Sequence, residues 1–135
     1  VKITPIAQLN YAQSKAGNIY LASEFAKRHG KDGIVSVSWN PGNLKTELQR
    51  HTDLFQKTAM RPLLYPAKNG AYTELYAAAS PDLTVADGGQ FIAPFGRKFE
   101  PRLDIKKGLK EKSDGGSGVG AQFWDWCEKT TREFQ

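Results

Sequence analysis

The chain has 135 residues, 39 per cent of them hydrophobic and 11 per cent aromatic, which bounds it to one domain of moderate size and excludes a disordered composition. A single cysteine excludes an internal disulfide framework, and no run approaches the ~18–20 apolar residues of a membrane span. The net charge of +5 gathers late, with seven basic and three acidic residues between Arg97 and Lys112. Such a run is able to face an anionic cofactor, RNA or an acidic lipid surface. Phe99 is its one aromatic residue, so the interleaved rings of a nucleic-acid platform are absent, and a solvated flank is expected. No basic-then-apolar start reads as a signal peptide, and the expected compartment is the cytoplasm. The first residue is Val1, and the natural start is expected upstream.

Val1–Gln8 begins with β-formers and then meets Pro5, which ends any strand there. Leu9–Arg28 predicts a long helix: Ala12, Ala16, Ile19, Ala22 or Ser23 and Ala26 recur at helical spacing, with Tyr20, Leu21 and Phe25 widening the apolar face. Gly17 costs up to ~1 kcal/mol of helix propensity relative to alanine, so a packing reason is expected for it. Lys27 and Arg28 suit the negative end of the helix dipole, and Gly30 reads as the C-cap. Tyr11 and Lys15 stand one turn apart on this helix, which puts a phenol and an ammonium on one side.

Ile34–Trp39 predicts a strand, closed firmly by Pro41-Gly42. A strand running into a tight turn is where open α/β sheets bind ligands. Thr46 can cap a short helix from Glu47 that carries Leu48, Leu54 and Phe55. Ala67–Ala79 predicts a second helix with Ala71, Leu75 and Ala78 on one face, stopped by Ser80-Pro81-Asp82. Val85–Gly89 is turn material, and Gln90–Pro94 predicts a short strand. Residues 95–118 read as a polar, basic and Gly-rich loop, and 119–135 as a closing aromatic helix with Phe123, Trp126 or Cys127, and Thr130 on one face. A two-stranded parallel sheet is a poor core, because parallel strands want neighbours at both edges and cover on both faces. The strand of Ile34–Trp39 is therefore expected to pair outside this chain, with a missing upstream half or with a second copy.

Tyr11-Ala12-Gln13-Ser14-Lys15-Ala16, followed by Asn40-Pro41-Gly42-Asn43-Leu44-Lys45-Thr46 at a strand end, resembles the C-terminal half of the short-chain dehydrogenase/reductase family, in its retinol-dehydrogenase-like and related fungal flavour. The resemblance spans about Thr4–Ala93. It implies an α/β fold for residues 1–94: the C-terminal part of a Rossmann-type doubly wound parallel sheet, without the N-terminal nucleotide-binding half. It implies that Tyr11 is the acid/base, trading a proton with the carbonyl or alcohol oxygen as hydride moves at carbon. Lys15 would lower the phenol's pKa by its charge and hold the nicotinamide ribose. Pro41 and Gly42 would shape the turn over the nicotinamide, with Asn43, Leu44 and Thr46 beside them. The cofactor is NAD or NADP. Leu48, Phe55 and Met60 fall where the family keeps its substrate lid, which implies a small apolar alcohol or carbonyl. Homo-oligomers are usual in the family.

The family's glycine-rich turn, its catalytic serine and its structural asparagine are not in this sequence. Two readings follow: a segment of an NAD(P)-dependent oxidoreductase, inactive as this chain alone, or a shortened non-catalytic relative that binds no cofactor and serves as an oligomeric subunit. His29 and His51 are isolated, with no cysteine or carboxylate pair at metal-ligand spacing, so no metal is expected.

Overall fold

The computed structural model describes residues 4–47, 58 and 61–134. Twenty-three residues with no internal proline form the first helix, α1 (Ala7–His29). No side chain caps it at Ile6. Instead Asn10 reaches back: its Oδ1 accepts from the Thr4 N–H at 2.9 Å and its Nδ2 donates to the Thr4 carbonyl at 2.8 Å. Lys27, Arg28 and His29 occupy the last turn, where cations complement the helix dipole. Gly30 is not the stop that its identity predicts. It keeps right-handed angles and continues into a 3-10 turn, Gly30–Asp32, and the left-handed closing residue is Gly33. Either glycine tolerates that conformation, so the sequence leaves the choice open.

The sheet is small. Strand β1 (Ser38–Trp39) pairs in parallel with β4 (Phe91–Ala93), and β4 turns back antiparallel onto β5 (Arg97–Phe99). Alternate backbone bonds extend the β1–β4 ladder: Gly89 N–H to the Ser36 carbonyl, Ser38 N–H to Gln90, and Asn40 N–H to Ile92, at 2.7–3.0 Å. The expected strand of Ile34–Trp39 thus forms a regular ladder only at its end. Ile34 and Val35 stay 43 and 37 per cent exposed, and among the described residues β1 pairs with β4 alone, its other edge open. The sheet is also mixed, since β5 returns through Pro94–Gly96. A second parallel pair, β2 (Leu44–Lys45) with β3 (Tyr65–Pro66), was not legible in the sequence.

Helix α2 (Ala67–Ala79) has the predicted bounds but presents a different face. Gly70 and Thr73 point inward, while Tyr72 and Leu75 are each 63 per cent exposed. Close approach decides this orientation. A Cβ on Gly70 would run into Leu44 Cδ1 and lie 3.1 Å from Pro41 Cβ, so only a side-chain-free position fits there. The result is an α/β fold with a small mixed sheet and several helices, consistent with a partial Rossmann-like architecture.

Residues 95–118 hold more order than their polar composition suggests. They contain β5, helix α3 (Leu103–Leu109) and a 3-10 turn at Lys112–Asp114. Helix α4 (Val119–Thr131) then packs along α1, and the chain ends in a 3-10 turn at Arg132–Phe134. Phe123 explains Gly17, where a Cβ would sit 3.1 Å from its ring. Trp124 tilts against Phe25 at 6.0 Å and lies under the Arg28 guanidinium at 4.6 Å. Trp126 is 55 per cent exposed and stacks on Phe123, so Trp124, and not Trp126, is the tryptophan this interface uses. Cys127 is half-buried filler whose thiol burial pushes up, away from reactivity.

Glu24 binds these pieces together. It is 1 per cent exposed on α1, with Oε1 2.6 Å from Lys27 Nζ and Oε2 on Arg28 Nη1. Lys27 Nζ also donates to the Leu109 carbonyl at 2.9 Å, which ties the end of α3 to α1. Burial by itself would raise the Glu24 carboxyl, but the hydrogen bonds from Lys27 and Arg28 outweigh it and hold the group below its ordinary value of 4.5. A depressed folded-state pKa contributes stability above the ordinary value and loses it as pH falls through the folded one. Glu24→Gln is therefore expected to cost about 1.5–3 kcal/mol at neutral pH, the range for hydrogen bonds to charged groups, and to flatten the decline in stability below pH 4.5. Urea unfolding at pH 7 and at pH 3 to 4 measures both.

Candidate functional site

Two groups of residues hold the chemistry that the sequence singles out. The first lies on the N-terminal half of α1. Tyr11 is 59 per cent exposed, and the Lys15 ammonium lies 5.5 Å from the centre of its ring. Helical spacing brings them together as expected. Ser14 beside them is held by its own backbone, donating to the Tyr11 carbonyl at 2.7 Å.

The second group surrounds the turn after β1. Asn40 Oδ1 accepts from the Gly42 N–H at 2.8 Å, so the Asn40 side chain does build the turn. Gly42 has φ of +89°, a conformation that favours glycine, and Pro94 closes the space behind it. The Asn43 carbonyl accepts from the Tyr65 N–H at 2.8 Å and starts the β2–β3 pair. Pro41, Gly42, Asn43 and Leu44 together form one wall of a cleft of about 310 Å³. Thr46 follows β2 and is exposed. Tyr11 and Lys15 are not among the residues lining this cleft. The expected lid positions Leu48, Phe55 and Met60 lie outside the described residues, as does His51.

The remaining lining residues, Tyr65, Asn69, Pro94, Phe95 and Arg97, are ones that the motif spacing does not mark. Phe95 carries φ of +67°, a strained conformation for a residue with a bulky side chain. Two contacts hold it there: Tyr65 meets its ring edge-on at 5.4 Å, and the Phe95 N–H donates to Thr73 Oγ1 at 3.3 Å. Thr73 is 1 per cent exposed, and its hydroxyl donates in turn to the Asn69 carbonyl at 3.4 Å. A buried threonine inside an alanine-rich helix was the available signal, since a buried hydroxyl needs a partner.

No group of His, Cys, Asp and Glu among the described residues is arranged to hold a metal ion. Among them, too, no helix is long and apolar enough to cross a membrane.

Comparison with known proteins then places the chain. It is 45 per cent identical over 124 residues to the short-chain dehydrogenase/reductase bet4 of Neocamarosporium betae, covering 92 per cent of this chain and 36 per cent of that protein. It is a homologue of the short-chain dehydrogenase/reductases. A second such protein, iacJ of Pestalotiopsis fici, is 44 per cent identical over 126 residues, covering 92 per cent of this chain and 37 per cent of its own length. A third, from Phomopsis amygdali, is 41 per cent identical over 133 residues, covering 95 and 40 per cent. The homologue thus spans a little over a third of the length of the curated relatives it matches. No family model matches the chain. No solved structure matches it.

Thr73→Val removes the acceptor that fixes Phe95 while keeping the shape of the side chain. The expected cost is about 1–3 kcal/mol, the penalty for leaving a buried partner unsatisfied. Faster hydrogen exchange at the Phe95 amide is the direct readout.

Proposed function

We propose that the chain is the catalytic-tyrosine portion of an NAD(P)-dependent oxidoreductase that interconverts an alcohol and a carbonyl. The supporting observation is the Tyr11–Lys15 pair, exposed together on α1, in a chain homologous to dehydrogenase/reductases over nearly its whole length. In this reading Tyr11 Oη gives a proton to the substrate oxygen in reduction and takes it back in oxidation. Lys15 supplies positive charge beside it and a donor for the nicotinamide ribose.

The residues present fit the nicotinamide end of the cofactor. With its Oδ1 turned to Gly42, Asn40 keeps its amide NH₂ as a donor at the cleft, and Asn43 adds a second amide on the same wall. Pro41 and Leu44 give the cleft an apolar side for a ring, and Thr46 lies just beyond. When bound, the cofactor supplies or accepts the hydride. The pyrophosphate end falls to the part of the relatives that this chain does not match, so the chain alone is read as inactive.

The open edge of β1, with Ile34 and Val35 exposed beside it, is where that remaining part would add a parallel strand and cover the sheet. A second copy of the chain is the alternative occupant, and it belongs to the reading in which a shortened relative is a non-catalytic subunit. A substrate with an apolar body suits the rings at the cleft.

Complementation separates the two readings. The N-terminal portion of the Neocamarosporium betae relative, co-expressed with this chain, is expected to restore NAD(P)H-dependent reduction across a panel of carbonyl compounds. Tyr11→Phe in that assembly is expected to lower kcat by about 10²–10⁴-fold, the usual scale of a lost general acid. Turnover that Tyr11→Phe leaves unchanged contradicts the assignment. A stable self-associated chain that ignores the added portion favours the non-catalytic subunit.

A further inference from the structure

We propose that Gly70 is a positioning residue for the nicotinamide end of the cofactor: through Leu44 it sets how far the wall of the Asn40–Leu44 turn reaches into the cleft. What lies in the cleft is taken from the oxidoreductase reading, on which the proposal rests. The hold of Gly70 on the turn stands on packing alone.

Gly70 sits inside α2, an alanine-rich helix in which alanine is the better helix former at that position. Local preference therefore disfavours the glycine, and close packing requires it. A Cβ there would run into Leu44 Cδ1, with Pro41 Cβ 3.1 Å and Leu44 Cδ2 3.5 Å away. The two neighbours differ in how they can respond. Pro41 is a ring with its φ locked, in a turn held by two further contacts: the Gly42 N–H donates to Asn40 Oδ1 at 2.8 Å, and Pro94 packs against Gly42. The Leu44 backbone is held too, paired with Tyr65 across β2 and β3.

The part that is able to swing is the Leu44 side chain, and Leu44 lines the cleft. Bulk added at Gly70 is thus passed to the cofactor side. Asn40 and Asn43, whose amides are assigned to the nicotinamide end, stand on the same turn. Misplacement by about 1 Å at such a site costs up to the order of 10²-fold.

The test is a double-mutant cycle on the chain complemented with the portion of the relatives that it does not match. Gly70→Ala is expected to weaken NADH or NADPH binding about tenfold and to raise KM for the cofactor in step, with KM for the carbonyl substrate unchanged. Leu44→Val removes both Cδ atoms. By itself it is expected to weaken binding about fourfold, the scale of one buried CH₂, and in its presence Gly70→Ala is expected to add no further loss. Leu75→Ala, on the exposed face of α2, leaves binding as it is. Binding by Gly70→Ala as tight as in the unsubstituted protein, or tighter, overturns the proposal, since helix preference alone gives that result. Losses that multiply in the double variant overturn it as well, because Gly70 would then act on the fold at large. Should Gly70→Ala fail to assemble, the double variant decides: assembly with the affinity of Leu44→Val supports the proposal, and failure to assemble overturns it. Absence of cofactor binding by the unsubstituted complemented protein sinks the oxidoreductase reading, and with it the cofactor half of the proposal. The Leu44 methyl resonances of the chain alone then decide the packing half: a shift in Gly70→Ala that Leu75→Ala lacks supports it, and no shift overturns it.

Discussion

A carboxylate taken out of water inside a helix must find positive partners, and Glu24 finds two on its own helix, Lys27 and Arg28. Each partner is then placed for a second task. Lys27 reaches the last carbonyl of α3, and Arg28 lies over Trp124 of α4. One buried charge on α1 thereby fixes where the C-terminal helices sit, and α1 is the same helix that carries Tyr11 and Lys15. The segment after β5 is thus a brace on the back of the helix that bears the proposed chemistry. Of the basic residues between Arg97 and Lys112, Lys98, Arg102 and Lys106 stand in ion pairs.

A second constraint positions the cleft. Gly70 lets α2 come within contact of Pro41 and Leu44, so the turn after β1 is pinned between α2 and Pro94. Thr73, one turn further along α2, then holds Phe95 in its strained conformation. Both walls of the cleft are referred to the same helix. This gives rigidity without a large core: among the described residues the largest fully buried side chains are Ile92, Glu24 and Thr73, one apolar, one charged and one polar. Apolar side chains stay exposed at β1's approach, at Ile34 and Val35, and on α2, at Tyr72 and Leu75, which suits a chain homologous to about a third of its relatives' length.

Much of this was legible in the sequence, and the failures have physical causes. The long helix, the helix at 67–79, the turn at Pro41-Gly42 and the closing helix all announce themselves by period, proline and glycine. The inward face of α2 did not, because the contact there is made by the absence of a side chain at Gly70, and a hydrophobic count points to Leu75 instead. Helix α3 was hidden by its lysines, which solvate one side while Gly108 packs on Tyr20. The β2–β3 pair is two residues long and leaves no period to read. On the site, Tyr11, Lys15 and the Asn40–Leu44 turn came from spacing and resemblance. Arg97 and Asn69 came only from the fold, since no motif spacing marks them.

We read α1 and the β1 turn as one side of a nicotinamide site whose other side lies in the portion of the relatives that this chain does not match. Fluorescence titration of NADH and NADPH tests it most directly, on the chain alone and on the chain complemented with that portion. No saturable binding is expected of the chain alone, and saturable binding of the complemented protein. Tight binding by the chain alone, or none after complementation into a folded assembly, would contradict it.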